Sequence, residues 1–166
     1  DDSLLPAYDT LSSDLVELIQ QRWDEYNPNL KLTHGDLHAG NLLWSPQQTE
    51  NIPHMVDLDD CALAPRIQDI WMLMHGERDQ MQGQLAAIAK GYEVFLPFPS
   101  HELPLIETLR TMRLMHYSAW LAKRWDDPAF KQAFPWFNTG RYWSEQILIL
   151  REQFSNMQEP SLQLIS

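Results

Sequence analysis

Leu11, Leu15, Leu18, Ile19 and Trp23 recur at three- and four-residue intervals, which predicts an amphipathic helix over about residues 10–26. Asp9 and Thr10 are its candidate N-caps, and Asn27-Pro28-Asn29 ends it. The pattern then shortens. Lys31–Thr33 reads as a short strand, Leu42–Trp44 as a second, and His54–Leu58 as a third that carries Asp57. The polar loop Ser45–Asn51 joins the last two into a hairpin, so Asn41 and Asp57 are expected at neighbouring ends of it. From Ile67 the helical period returns. Ile67–His75 reads as one helix; Met81, Leu85, Ile88, Ala89 and Tyr92 define the next, which Pro97-Phe98-Pro99 breaks. Leu105, Ile106, Leu109, Met112 and His116 predict a long helix over about residues 101–125, stopped by Asp126-Asp127-Pro128. Trp143, Ile147, Leu150 and Phe154 define a last one. The expected class is α+β, mostly helical, with a small β-hairpin.

One stretch does not fit a plain turn. THGDLHAGNLLW, residues 33–44, places His34, Asp36, His38 and Asn41 close together ahead of an apolar strand. A surface turn needs a glycine and an Asn or Asp, not this whole set.

Bulk composition narrows the chemistry. With 166 residues, 44% of them hydrophobic, and seven Trp, the chain has enough apolar material for a packed core. Its 23 acidic and 12 basic residues give a formal charge of −11, which argues against nucleic acid and against an anionic membrane surface as partners. No apolar run approaches the ~20 residues that span a bilayer. The start DDSLLPAYDT is acidic and interrupted by Pro6, unlike a signal peptide, and the lone Cys61 allows no disulfide within the chain. The expectation is a cytoplasmic protein. Cys61, with no motif around it, is expected to be a small buried or half-buried residue.

Asp36 and Asn41 lie five residues apart on a loop, and Asp57 arrives on the next strand. Converging Asp and Asn oxygens can hold a hard divalent cation such as Mg²⁺, with water and phosphate completing its shell. A separate Asp can accept a proton from a hydroxyl. That division assigns Asn41 and Asp57 to the metal and Asp36 to the hydroxyl, which is what phosphoryl transfer from ATP requires. Alternation along a strand would put Asp57 and Asp59 on one face and Asp60 on the other. His34 reads as a loop support. His38 faces the substrate or braces the loop, and Gly35 and Gly40 serve backbone conformations closed to other residues. Trp71, Met72, Met74, Met112, Met115, Trp120 and Trp125 read as packing residues.

HGDLHAGN resembles the catalytic loop of the aminoglycoside phosphotransferase and choline kinase superfamily, itself related to protein kinases. The pattern H-G-D-x-H-x-x-N is matched at His34, Gly35, Asp36, His38 and Asn41. Val56-Asp57-Leu58-Asp59 matches a second motif. Pro65-Arg66-Ile67-Gln68-Asp69-Ile70 matches a third, a proline followed four residues later by Asp at the opening of a helix. The resemblance implies Asp36 as catalytic base and Asn41 and Asp57 as Mg²⁺ and nucleotide ligands. It implies a supporting role for Asp59, and a brace on the catalytic loop backbone from Asp69. The segments VDLDD, QDIWMLMHG, AWLAKRWDDPAF, FPWF and QEPSLQL narrow it to a bacterial stress-response branch reported to phosphorylate protein Ser and Thr.

Such kinases have two lobes. The glycine-rich loop and the lysine that hold the ATP phosphates lie in the N-terminal lobe. This chain has no G-x-G-x-x-G and no V-A-I-K-like segment. The expectation is therefore that residues 1–166 form the C-terminal catalytic lobe alone, inactive without its N-terminal partner lobe. The expected acceptor is a protein Ser or Thr, with a small alcohol of aminoglycoside, choline or homoserine type as the alternative. Two further readings stay open: a non-catalytic docking module, and a metal-dependent hydrolase built on His34, Asp36 and His38.

Overall fold

The computed structural model describes residues 3–44 and 52–164. The expected loop Ser45–Asn51 and the acidic start Asp1-Asp2 lie outside the described residues. The chain forms two compact units, one running to Glu25 and resuming over Glu107–Pro160, the other holding Tyr26–Ile106 and the stretch from Ser161. The architecture is α+β and mostly helical, as expected, with six α-helices, two 3-10 segments and four short strands among the described residues.

The first unit is helical. Helix α1 spans Leu5–Tyr26. It begins earlier than the sequence suggests, because Pro6 falls in the first turn, where its missing N–H is no loss. Asp9 and Thr10 are thus interior residues and not caps, and the Thr10 hydroxyl donates to the carbonyl of Pro6 at 3.0 Å. Leu15, Leu150 and Met157 form the centre of the core, with Leu11, Leu18, Ile19 and Phe154 packed around it. Helix α4 spans Ile106–Lys123 and α6 spans Gly140–Asn156. Between them lies a helix that the sequence reading missed, α5 at Pro128–Ala133. Asp126-Asp127-Pro128 both stops α4 and starts α5. The Asp127 carboxylate accepts the amide of Ala129 at 2.8 Å, and Pro128 takes the first helical position. Trp120, Trp125, Phe137, Tyr142 and Trp143 join a run of edge-on and tilted ring contacts, so the tryptophan-rich stretch is packing material.

The second unit carries the strands. β1 (Lys31–Thr33) pairs antiparallel with β4 (Ala62–Ala64), Leu32 opposite Leu63. β2 (Leu42–Trp44) pairs antiparallel with β3 (Pro53–Met55), Leu43 opposite His54. The hairpin is therefore present. β4 was not foreseen, since Ala-Leu-Ala has little intrinsic strand preference. β3 ends at Met55, short of the expected Leu58, because Asp57 takes a left-handed backbone with φ 65°. Helix α2 covers only Ile67–Trp71; Leu73 and Met74 continue it as tighter i→i+3 turns. Helix α3 spans Arg78–Tyr92. The start of the long predicted helix is instead a 3-10 segment, Ser100–Leu105, where Pro104 has no N–H to give to a regular ladder. Ile67, Ile70, Trp71, Leu85, Leu103 and Leu105 are buried in this unit.

Candidate functional site

The polar stretch after β1 is a loop held almost entirely by hydrogen bonds to its own backbone. Asp69, on α2, accepts the backbone amide of His34 at 2.8 Å on one carboxylate oxygen and that of Gly35 at 2.9 Å on the other. Gln68, its neighbour, donates to the carbonyl of Gly35 at 3.0 Å and accepts the indole N–H of Trp71 at 3.2 Å. Two successive side chains of one short helix thus fix three consecutive peptide units, from Thr33–His34 to Gly35–Asp36. The sequence reading had Asp69 but not Gln68, whose only signal was its place beside Asp69 in PRIQDI.

Gly35 has φ 85°, and a Cβ there would lie 2.2 Å from the carbonyl oxygen of Asp60. Only glycine fits both the backbone conformation and the close approach. The loop turns there onto the backbone of the segment that follows Asp57.

His34 is buried. Its Nε2 donates to the carbonyl of Val56 at 2.9 Å, and its Nδ1 accepts the amide of Asp36 at 3.4 Å, the longer and weaker of the two contacts. Both ring nitrogens are committed to holding the loop. His38 caps the 3-10 turn Ala39–Asn41, its Nδ1 accepting the amide of Gly40 at 3.0 Å. With Nδ1 an acceptor, the ring proton of the neutral imidazole sits on Nε2. Nε2 lies 3.6 Å from Oδ2 of Asp36. Gly40 leaves space for that ring, since a Cβ would come within 2.8 Å of His38 Cε1.

Asn41 is buried, and its side-chain amide donates to the carbonyl of Asp36 at 2.9 Å. Spending the NH₂ on the loop presents the other half of the amide, Oδ1, as the available ligand. The carbonyl of Asn41 accepts the amide of Val56 at 3.1 Å, so the base of the hairpin ties Asn41 to the residue before Asp57. Asp57 is exposed in its left-handed conformation, a state that Asp tolerates better than most residues.

The structure thus joins His34, Asp36, His38, Asn41 and Asp69 in one hydrogen-bonded group and sets Asp57 beside it. Asp59 and Asp60 form an exposed turn. The expected strand alternation, with Asp57 and Asp59 on one face and Asp60 on the other, does not apply, because residues 56–61 are not a strand. Cys61 is exposed, not buried. The hydrolase reading finds no site. His34 has both nitrogens engaged, and no group of three or more His, Cys, Asp or Glu side chains is placed to hold a metal among the described residues. An Asn–Asp oxygen pair does suit Mg²⁺, which takes one or two carboxylates and completes its shell with phosphate and water.

A family comparison decides how this loop is classified. The model of the phosphotransferase enzyme family matches residues 2–104, which contain the whole hydrogen-bonded group. The chain belongs to the phosphotransferase enzyme family. Among curated phosphotransferase relatives, "Stress response kinase A" of Escherichia coli (strain K12) is 43% identical over 161 residues, covering 97% of this chain and 47% of that protein. The protein of the same name from Escherichia coli O157:H7 is 44% identical over the same shares. "Serine/threonine protein kinase RdoA" of Salmonella typhimurium is 44% identical over 162 residues, 98% of this chain and 46% of that protein. The chain spans about half the length of the curated relatives it matches. Among the described residues no helix is long and apolar enough to cross a membrane.

Proposed function

We propose that this chain is the catalytic lobe of an ATP- and Mg²⁺-dependent kinase that moves the γ-phosphoryl group to a protein Ser or Thr hydroxyl. The observation that carries the reading is the doubly anchored loop. Asp69 and Gln68 fix the backbone of His34 and Gly35 ahead of Asp36, and the Asn41 amide fixes the carbonyl of Asp36 itself, so the Asp36 carboxylate is presented from an anchored frame. Phosphoryl transfer asks a protein mainly for such positioning and for charge neutralisation.

Asp36 accepts the proton of the acceptor hydroxyl as that oxygen bonds the γ-phosphorus and the bond to the β-bridging oxygen breaks. The Nε2–H of His38 faces Asp36 at 3.6 Å and helps to orient its carboxylate toward the acceptor hydroxyl. Oδ1 of Asn41 and the carboxylate of Asp57 would hold Mg²⁺, with Asp59 in a supporting role. The ion, when bound, neutralises charge on the phosphates. A second, N-terminal lobe supplies the loop and lysine that grip those phosphates, so residues 1–166 alone turn over little or no ATP. ATP as donor places the activity in the cytoplasm. The protein acceptor and the stress role are carried over from the names of the relatives.

The test is Mg²⁺-dependent transfer from radiolabelled ATP by the full-length protein, wild type beside Asp36→Asn. Self-labelling, a generic basic protein and a panel of small alcohols are scored in parallel. Protein labelling lost in the variant is the expected result. Labelling of a small alcohol alone would keep the mechanism and replace the substrate. ATP binding without transfer to anything would leave a docking module.

A further inference from the structure

Glu102 is a carboxylate with no solvent exposure, and the chemistry proposed above does not use it. It lies outside the three sequence motifs, in the 3-10 segment Ser100–Leu105, which packs against α2. Its Oε2 accepts the backbone amide of Ile67, the first residue of α2, at 3.0 Å. Its Oε1 lies 3.7 Å from Nε of Arg66 and 3.7 Å from Nε2 of His101. A buried carboxylate is costly unless paired, and here the pairing is spent on the entry to a single helix.

That helix is five residues long, too short to hold its shape by its own hydrogen bonds. Yet it supplies Gln68 and Asp69, which make three contacts to the backbone N–H and C=O groups of His34 and Gly35. Something outside α2 must set its start, since Arg66 at its N-cap makes no side-chain capping bond. Glu102 occupies that place. We infer that Glu102 is a positioning residue for phosphoryl transfer: through Ile67 it sets α2, and through Gln68 and Asp69 it sets the backbone that carries Asp36. The inference rests on Asp36 being the catalytic base.

Three substitutions separate this role from bulk stability. Glu102→Leu keeps size and removes the acceptor. Glu102→Asp keeps the buried charge and draws it back by one carbon from Ile67, and it carries the test if the Leu variant does not fold. Glu102→Gln keeps an oxygen for the Ile67 amide. In the full-length protein, amide hydrogen exchange is measured on the peptide covering residues 33–37 and on one from α6 as control. Transfer rates are measured alongside. The Leu and Asp variants are expected to exchange faster at 33–37 with α6 unchanged. Their kcat should fall by up to about a hundredfold at unchanged KM for ATP, with the Gln variant close to wild type. Adding Asp69→Asn to either impaired variant should cost nothing beyond Asp69→Asn alone. Wild-type exchange at 33–37, or a rise of equal size in α6, would overturn the inference. A wild type that transfers phosphate to nothing would overturn the functional reading, and the exchange result would still judge the link from Glu102 to the loop.

Discussion

The side-chain amide of Asn41 donates to the backbone carbonyl of Asp36 across 2.9 Å, so the residues proposed as metal ligand and base are joined by a hydrogen bond. Asn41→Asp retains an oxygen ligand but loses the donor and sets a carboxylate against a carbonyl. The Asp36 carbonyl keeps the His38 amide at 2.9 Å, so the variant removes one of its two donors, worth about 0.5–1.5 kcal/mol, and adds repulsion between carboxylate and carbonyl. Transfer should therefore fall by two orders of magnitude or more, with a lowered Tm, although the substitution adds negative charge where a cation is to bind. Steady-state kinetics and a thermal melt of the full-length protein check both parts. Unchanged kinetics would remove Asn41 from the site.

Gly35 and Gly83 make opposite predictions for one substitution. Gly35→Ala meets the Asp60 carbonyl at 2.2 Å in a left-handed backbone, so it should destabilise by at least about 1–3 kcal/mol and stop transfer. At Gly83, inside α3, an added Cβ meets nothing within 4 Å. Gly83→Ala should stabilise by roughly 0.5–1 kcal/mol and leave transfer alone. Urea unfolding midpoints of the two variants decide; a neutral Gly35→Ala would mean that the loop does not close on residue 60.

The site was more legible in the sequence than the fold around it. His34, Asp36, His38 and Asn41 stand within eight residues, and chemistry of that density is visible without coordinates. Asp69 could be placed because the family resemblance implied its brace on the loop backbone. Gln68 and Glu102 could not: their partners are as distant as those of Asp69, 33 and 35 residues away, but neither stands at a defining position of a motif. Elements went astray where one residue does two jobs. Pro6 looks like a breaker and begins α1. Asp127-Pro128 looks like a stop and begins α5. Asp57 looks like a strand residue, yet its positive φ ends the extended run.

Two tyrosines of the helical unit predict an alkaline instability. Burial pushes the phenols of Tyr8 and Tyr142 above their ordinary range, despite the 2.8 Å contact between Tyr142 and Ser118 that opposes the shift in Tyr142. The folded state thus keeps protons that the unfolded chain gives up near pH ~10. Their contribution to stability is fully present below that pH and is lost as pH rises through the folded values. Unfolding midpoints should drop between about pH 9 and pH 11, and Tyr8→Phe should flatten the drop. An equal drop in the variant would assign it to other groups.

His38 offers the sharpest separation of a brace from a participant, because its two nitrogens face different partners. Nδ1 holds the Gly40 amide; Nε2 points toward Asp36. Asn at this position can reproduce the first contact, its side-chain oxygen standing near Nδ1. Gln can place an N–H near Nε2 and gives up the first. The side chain is 45% exposed, so neither change should move Tm by more than a degree or two. If His38 only caps the turn, His38→Asn should transfer phosphate as the wild type does and His38→Gln should be impaired. The contact with Asp36 predicts the reverse order: His38→Asn roughly tenfold down or more in kcat, His38→Gln closer to wild type, and KM for ATP steady in both. A matched loss in the two variants would mean that both contacts are needed at once, and that the capped turn is what aims Nε2 at the carboxylate.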